Sequence, residues 1–294
     1  MRTAAQRRIG AVTRLLRTAG PALRRQHSSA PAGPMRAVQV WDVGPAETAL
    51  ALSSTVGVPT PGPGQVLVRN ALSGVNFHDT YTRSGLYPRE PGFTVGCEGG
   101  GEVVAVADDL GEAGPQVGER VVYYCEGSYA EYSAVPAAMT AAVPQALSLE
   151  AATALTVQGL TAHYLTRSTA VLSADDDVIV TAAAGGTGKL VAQMAKMAGA
   201  RVLGLVSTEA KAEIAAAHGC DDTLIYRQPG QQGCEDFSGF AREWSRDGAG
   251  VSVVYDSIGK ATAAASLASL RPRGSCVFFV RRAPLCPQGR QSWP

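Results

Sequence analysis

One short run of residues limits what this chain can fold into more than any other. Val178-Ile179-Val180-Thr181 leads into Ala182-Ala183-Ala184-Gly185-Gly186-Thr187-Gly188-Lys189. In a G-x-G-x-x-G register Ala183 takes the first position, Gly185 the second and Gly188 the third, with Gly186 and Thr187 between them. The second glycine lets a backbone approach a pyrophosphate, and the third lets a helix pack closely on its strand. The helix N-terminus then offers free N–H groups and the positive end of its dipole. A glycine motif alone is weak evidence. Here a strand precedes it, and a helix over Gly188–Ala198 and a second strand over Arg201–Ser207 follow at the required spacing.

The alternation continues. A helix is expected over Glu209–His218, strands over Thr223–Tyr226 and Val251–Ser257, a helix from about Ala261 to Leu270, and a strand over Cys276–Phe279. Apolar, β-branched strands alternating with helices imply a parallel sheet covered on both faces, a doubly wound α/β unit of the Rossmann type over residues 151–279. Where such a unit holds NAD, an acidic residue ends the second strand and takes the ribose 2′-hydroxyl. Here that place, nineteen residues past Gly188, is Ser207, followed by Thr208 and Lys211. A hydroxyl and a cation suit a 2′-phosphate, so the expected cofactor is NADPH, although Glu209 would oppose it if turned inward.

Residues 35–150 read differently. Strands are expected over Met35–Trp41, Gln65–Leu72, Gly100–Ala107 and Arg120–Tyr124, with a strong turn cluster at Pro59–Gly64. Many short strands separated by turns suggest a compact barrel. The pattern changes near residue 150, where Ser148 is placed to cap a helix over Ala151–Gln158.

The formal net charge of +1 hides an asymmetry: residues 1–27 hold seven arginines and no acid, leaving 19 basic against 25 acidic residues elsewhere. An arginine-rich, acid-free, amphipathic start is the pattern of a mitochondrial transit peptide, and Arg25-Gln26-His27 would suit matrix processing before Ser28. A net-acidic body argues against nucleic acid as a partner. No apolar run of membrane-spanning length is present. The six cysteines form no C-x-x-C pair and no evident disulfide framework, which points to reduced thiols inside a cell.

Asn76-Phe77-His78-Asp79-Thr80-Tyr81-Thr82-Arg83-Ser84-Gly85-Leu86-Tyr87-Pro88, Gly96–Val103, Ala182–Gly188, Gln193–Lys196 and Val253–Gly259 together resemble the quinone oxidoreductases of the zeta-crystallin type, a zinc-free branch of the medium-chain dehydrogenases/reductases. The resemblance covers roughly residues 35–279. It implies a GroES-like β-barrel domain followed by a Rossmann domain, with the nicotinamide between them. It also implies hydride transfer from NADPH to a small-molecule quinone or α,β-unsaturated carbonyl. By the same resemblance Asn76 and Tyr81 face the acceptor oxygen and Tyr87 lines the site. Thr161 lies toward the nicotinamide, and Tyr226 covers the 2′-phosphate. Asn76 also fits a plain turn role, and the tyrosines fit ordinary packing.

Zinc-dependent relatives place Cys where Asn76 stands and His where Cys97 stands. Asn76 is a poor ligand and Cys97 alone is insufficient, so no metal is expected and Cys97 reads as a small buried residue. His78, His163 and His218 show no metal or triad spacing, and Glu98 reads as a structural hydrogen-bonding acid.

Residues 280–294, with three prolines and three arginines, depart from the family pattern and read as an irregular, disordered tail. The expectation is a Rossmann sheet without its sixth strand and with an exposed edge. Full-length relatives are homodimers, so this chain is expected to be monomeric or unstable. A catalytically weak nucleotide-binding form is therefore the competing reading. RNA binding has little support in an acidic body.

Overall fold

A computed structural model describes residues 31–226 and 236–279. The arginine-rich segment 1–27 and the 280–294 tail, on which two of the expectations above rest, lie outside these residues. The chain divides into two compact units after Val157.

In the first unit β1 (Pro34–Val40) runs antiparallel to β2 (Leu50–Gly57) and to β4 (Phe93–Thr94), with α1 (Ala46–Ala49) before β2. A second antiparallel sheet has the order β7-β3-β5-β6-β8, built from β3 (Gln65–Ser73), β5 (Glu98–Val106), β6 (Arg120–Tyr124), β7 (Tyr132–Pro136) and β8 (Thr140–Ala142). Alternation places Val66 and Val68 of β3 with Val103, Val121, Tyr123 and Val135 in one buried cluster. Helix α2 (Phe77–Arg83) connects β3 to β4.

The expected strands appear within a residue or so of their predicted limits, except that β5 begins two residues earlier. Strands β2, β4, β7 and β8 and helices α1 and α2 go beyond the sequence reading. β2 is almost wholly exposed, so it carries no buried alternation to reveal it. The helix expected over Ala151–Gln158 is in fact two, α3 (Leu149–Ala154) and α4 (Val157–Tyr164). Ser148 caps α3 as expected, its hydroxyl accepting the Ala151 N–H at 3.1 Å. Because α3 packs on β5 and β6, the break between units falls seven residues later than the change of pattern at 150.

The second unit is a five-stranded parallel sheet in the order β11-β10-β9-β12-β13. Its strands are β9 (Asp177–Thr181), β10 (Arg201–Val206), β11 (Asp222–Ile225), β12 (Val251–Asp256) and β13 (Leu270–Phe278). They alternate with α5 (Gly186–Met197), α6 (Glu209–Ala217), α7 (Ser238–Trp244) and α8 (Ala263–Ala268). Both sheet faces are buried. Val178, Val180, Val202 and Tyr255 meet Val191, Ala192 and Ala195 of α5 on one side. Ile179, Leu203, Leu205 and Val254 meet Phe237, Ala241 and Trp244 on the other. Each such fully buried aliphatic side chain contributes about 1.5–3 kcal/mol over an exposed one. The strand expected over Cys276–Phe279 starts six residues earlier, at Leu270, which shortens the preceding helix at its end.

Sheet order reverses at β9, whose neighbours β10 and β12 lead to opposite sides. In open α/β sheets ligands bind beyond the carboxyl ends of the strands at such a point.

Candidate active site

In the second unit the turn after β9 carries the predicted phosphate-binding residues. Ala182 adopts φ +48, a left-handed conformation uncommon for a residue with a side chain. The Ala183 N–H donates to the Leu205 carbonyl at 3.2 Å, which ties the turn to β10. Gly185 is the N-cap of α5, which begins at Gly186, two residues earlier than expected. Gly186, Thr187 and Gly188 therefore form the first turn, whose N–H groups a helix does not satisfy by itself. Gly188 is sterically required, because a Cβ there would stand 2.4 Å from the Ala182 carbonyl oxygen; a Cβ on Gly186 would meet only the terminal amide of Gln158, which can swing aside. Thr161 lies one turn along α4 from Gln158, on the same helix face.

At the end of β10 the Lys211 Nζ donates to the Ser207 Oγ at 2.9 Å. Thr208 caps α6, its hydroxyl accepting the Lys211 N–H at 3.3 Å. The Tyr226 N–H donates to the Val206 carbonyl at 3.1 Å, which brings the end of β11 beside Ser207. Ser207, Lys211 and Tyr226 thus lie at the same end of adjacent strands. Glu209, in the first turn of α6, is exposed.

A network that spacing does not reveal follows β12. The Asp256 carboxylate, 1% exposed, accepts the Ile258 N–H at 2.8 Å, the Gly259 N–H at 3.0 Å, the Thr262 hydroxyl at 2.8 Å and the Ser266 hydroxyl at 2.7 Å. The Ser257 N–H donates to the Thr181 Oγ1 at 2.9 Å. The loop after β12 is thereby fixed to the end of β9. The motif Val253–Gly259 is the one sequence signal that touches this hub, and it says nothing of Thr262 or Ser266.

In the first unit Asn76 is the N-cap of α2. Its backbone N–H donates to Asp79 Oδ2 at 2.7 Å, and its amide Nδ2 donates to Glu98 Oε1 at 2.7 Å. The other Glu98 oxygen accepts the Val157 N–H at 2.6 Å. Glu98 is almost fully buried, and burial raises its carboxyl above the usual range despite these two hydrogen bonds. The structural hydrogen-bond role read for Glu98 is thus seen directly, and its partner is the predicted site residue itself. The Tyr81 and Tyr87 rings meet edge to face with centroids 5.5 Å apart, and Tyr87 lies 5.5 Å from the His78 ring. Asn76, Tyr81 and Tyr87 thus belong to one local assembly on and after α2.

Cys97 is buried as read, but it is not alone. His78, Asp79 and Cys97 place a nitrogen, a carboxylate oxygen and a sulfur all within 4.8 Å of one another. The Tyr129 hydroxyl also donates to Asp79 Oδ2, at 2.9 Å. Burial first, and the Asp79 carboxylate second, push the Cys97 thiol well above its ordinary value. Spacing missed this group because Cys97 comes from a distant segment.

These two units are what family comparison recognises. Residues 62–145 match the alcohol dehydrogenase GroES-like domain, and residues 186–280 match the family described as zinc-binding dehydrogenase. The chain is 37% identical over 243 residues to a probable quinone oxidoreductase of Schizosaccharomyces pombe, covering 82% of this chain and 70% of that one. It is 42% identical over 234 residues to the 2-haloacrylate reductase of a Burkholderia species, covering 76% and 67%. Among solved structures it aligns with Escherichia coli quinone oxidoreductase complexed with NADPH at a TM-score of 0.79 and 33% identity, covering 86% of this chain and 76% of that one. The fold is a GroES-like domain followed by a Rossmann-type domain, the pairing that defines medium-chain dehydrogenases/reductases. Within that class the chain belongs to the quinone oxidoreductase-like family.

Proposed function

We propose that the chain is an NADPH-dependent reductase that delivers hydride to an electron-poor small molecule, a quinone or an α,β-unsaturated carbonyl. The observation that carries the reading is the pairing of the glycine turn after β9 with the Ser207–Lys211 contact at the end of the adjacent strand. The residues fit the cofactor. Gly188 leaves no room for a Cβ and Gly186 carries none, so the backbone of the first α5 turn is bare for a pyrophosphate. The N–H groups of Gly186, Thr187 and Gly188 would hold that pyrophosphate. Ser207, Lys211 and Tyr226 would hold the 2′-phosphate, where a hydroxyl and a cation suit a dianion. Thr161 would serve the nicotinamide end.

When bound, NADPH supplies the hydride, and the protein supplies position and electrostatics. Hydride addition leaves negative charge on the acceptor oxygen, so a donor aimed there lowers the barrier. Asn76 is suited to this. Its Nδ2 carries a second N–H beyond the one that Glu98 accepts, and Glu98 fixes which way the amide faces. Tyr81 is the second donor, and Tyr87 walls the acceptor. Names of relatives support the acceptor class: quinones for some, a haloacrylate for another.

The test is NADPH consumption, followed by absorbance, by the purified full chain against a panel of quinones, enones and 2-haloacrylates. Turnover with at least one acceptor is expected, and Asn76→Ala should lower kcat by roughly a hundredfold. A folded chain that binds NADPH but reduces none of the panel would leave the nucleotide-binding reading in its place. For location we propose mitochondrial import, supported by the seven arginines and absent acids of residues 1–27. A fluorescent fusion that stays in the cytosol would oppose it.

A further inference from the structure

A side chain from another helix lies against the first turn of α5. Gln158 stands in the opening turn of α4 (Val157–Tyr164), on the stripe that carries Thr161, and both residues are half-buried. Gly159 and Ala162 of the same helix face the interior, while Leu160, His163 and Tyr164 are exposed. The place where a Cβ on Gly186 would sit is 2.0 Å from Gln158 Oε1, 2.7 Å from its Cδ and 3.0 Å from its Nε2. The whole terminal amide therefore lies over the bare Cα of the first residue of α5. Among the described residues that amide has no hydrogen-bond partner. A primary amide holds two donors and an acceptor, and such groups find partners when they are drawn out of solvent. This one rests against the turn whose N–H groups the helix leaves unsatisfied.

The chemistry of an amide suits this place in two ways. Its oxygen suits the positive end of the α5 dipole. Rotation about the last side-chain bond brings its N–H groups round instead, and those suit an anion seated on the same turn. A carboxylate at position 158 could do the first and would repel the anion in the second. A hydrocarbon could do neither. We propose that Gln158 is a side-chain ligand of the cofactor's pyrophosphate, its Nε2 donating to a phosphate oxygen beside Gly186. The inference rests on the reading of the turn after β9 as a dinucleotide site. It adds to the backbone N–H groups a donor from a different element, and so links α4, with Thr161, to the phosphates. The pyrophosphate is common to NADPH and NADH, so Gln158 sets affinity for both. The choice between them belongs to Ser207 and Lys211.

The test is isothermal titration of the full chain with NADPH, NADH and 2′-phospho-ADP-ribose, which keeps the phosphates and lacks the nicotinamide. The melting temperature of the free chain is the second readout. Gln158→Ala should weaken all three ligands by roughly tenfold. Gln158→Glu should weaken them further, yet leave the melting temperature unchanged or higher, because an acid there suits the first turns of both α4 and α5. Gln158→Lys should bind all three at least as tightly as the unaltered chain does. A side chain that merely fills space would not produce that order. The proposal is overturned if Gln158→Glu binds as well as the unaltered chain, or if the loss spares one ligand. Sparing 2′-phospho-ADP-ribose would put the amide at the nicotinamide, and sparing NADH would put it at the 2′-phosphate. An unaltered chain that binds none of the three would overturn the cofactor reading itself, and this proposal with it.

Discussion

At the level of single residues the account rests on atoms whose replacement has a definite consequence. Gly188 has a backbone oxygen 2.4 Å from where a Cβ would sit, so the turn must move to admit a methyl group. Gly188→Ala should cost about 1–3 kcal/mol of stability, read by denaturant unfolding, and should weaken NADPH binding at least tenfold. Lys211 acts differently. It is exposed and contributes little to the fold, so Lys211→Ala should leave the melting temperature of the free chain unchanged. If it meets a 2′-phosphate, the loss of a charged hydrogen bond should weaken NADPH by roughly tenfold or more and leave NADH alone. Isothermal titration with both nucleotides checks this; equal weakening of the two would place Lys211 elsewhere.

At the level of elements, buried carboxylates decide how loops and strands are fixed. Asp256 gathers two backbone N–H groups and the hydroxyls of Thr262 and Ser266. Asp256→Ala strands all four donors in a dry site and should cost about 3 kcal/mol or more. Chemical denaturation measures this, and a loss under about 1 kcal/mol would show that the loop re-forms without its hub. Asp221 joins β10 to the start of β11, accepting the Val202 N–H at 2.8 Å and the Lys196 ammonium. Partial burial would raise its carboxyl, but Lys196 and the Val202 N–H outweigh it and hold the carboxyl below its usual value of 3.8. A lowered folded value means that the stabilisation is present above pH 3.8 and is lost as pH falls through the lowered one. Asp221→Asn should therefore cost about 1 kcal/mol at neutral pH, given its partial exposure. The gap between the two proteins should close as stability is measured into acid.

The whole molecule shows which information a sequence carries openly. The Rossmann unit was legible because its signals are local. Strand, turn, helix and second strand succeed one another within about thirty residues, and Gly188 answers a steric demand of the adjoining turn. The Ser207–Lys211 contact was legible for the same reason, since the two residues are one helical turn apart. The first unit was legible mainly by resemblance. Asn76 meets Glu98 22 residues away, and Glu98 meets Val157 59 residues away. Periodicity cannot find such partners. Nor could it find that Cys97, read as isolated, lies against His78 and Asp79. Helix α2 escaped notice because its seven residues carry no apolar stripe and its start depends on the Asn76–Asp79 cap. Helix α7, short and separated from β11, gave too few turns for a period to emerge. No helix among the described residues is long and apolar enough to cross a membrane, in keeping with the composition.

The central claim is that the second unit holds NADPH through the glycine turn and distinguishes it from NADH by Ser207 and Lys211. Thermal unfolding of the full chain, alone and with each nucleotide, tests it most directly. A ligand that binds only the folded state raises stability by mass action, by about 2.7 kcal/mol at a hundredfold excess over Kd. The account predicts a clear rise with NADPH, a much smaller one with NADH at equal concentration, and loss of that difference in Lys211→Ala. A cooperative transition that neither nucleotide moves, or that both move equally, would contradict it.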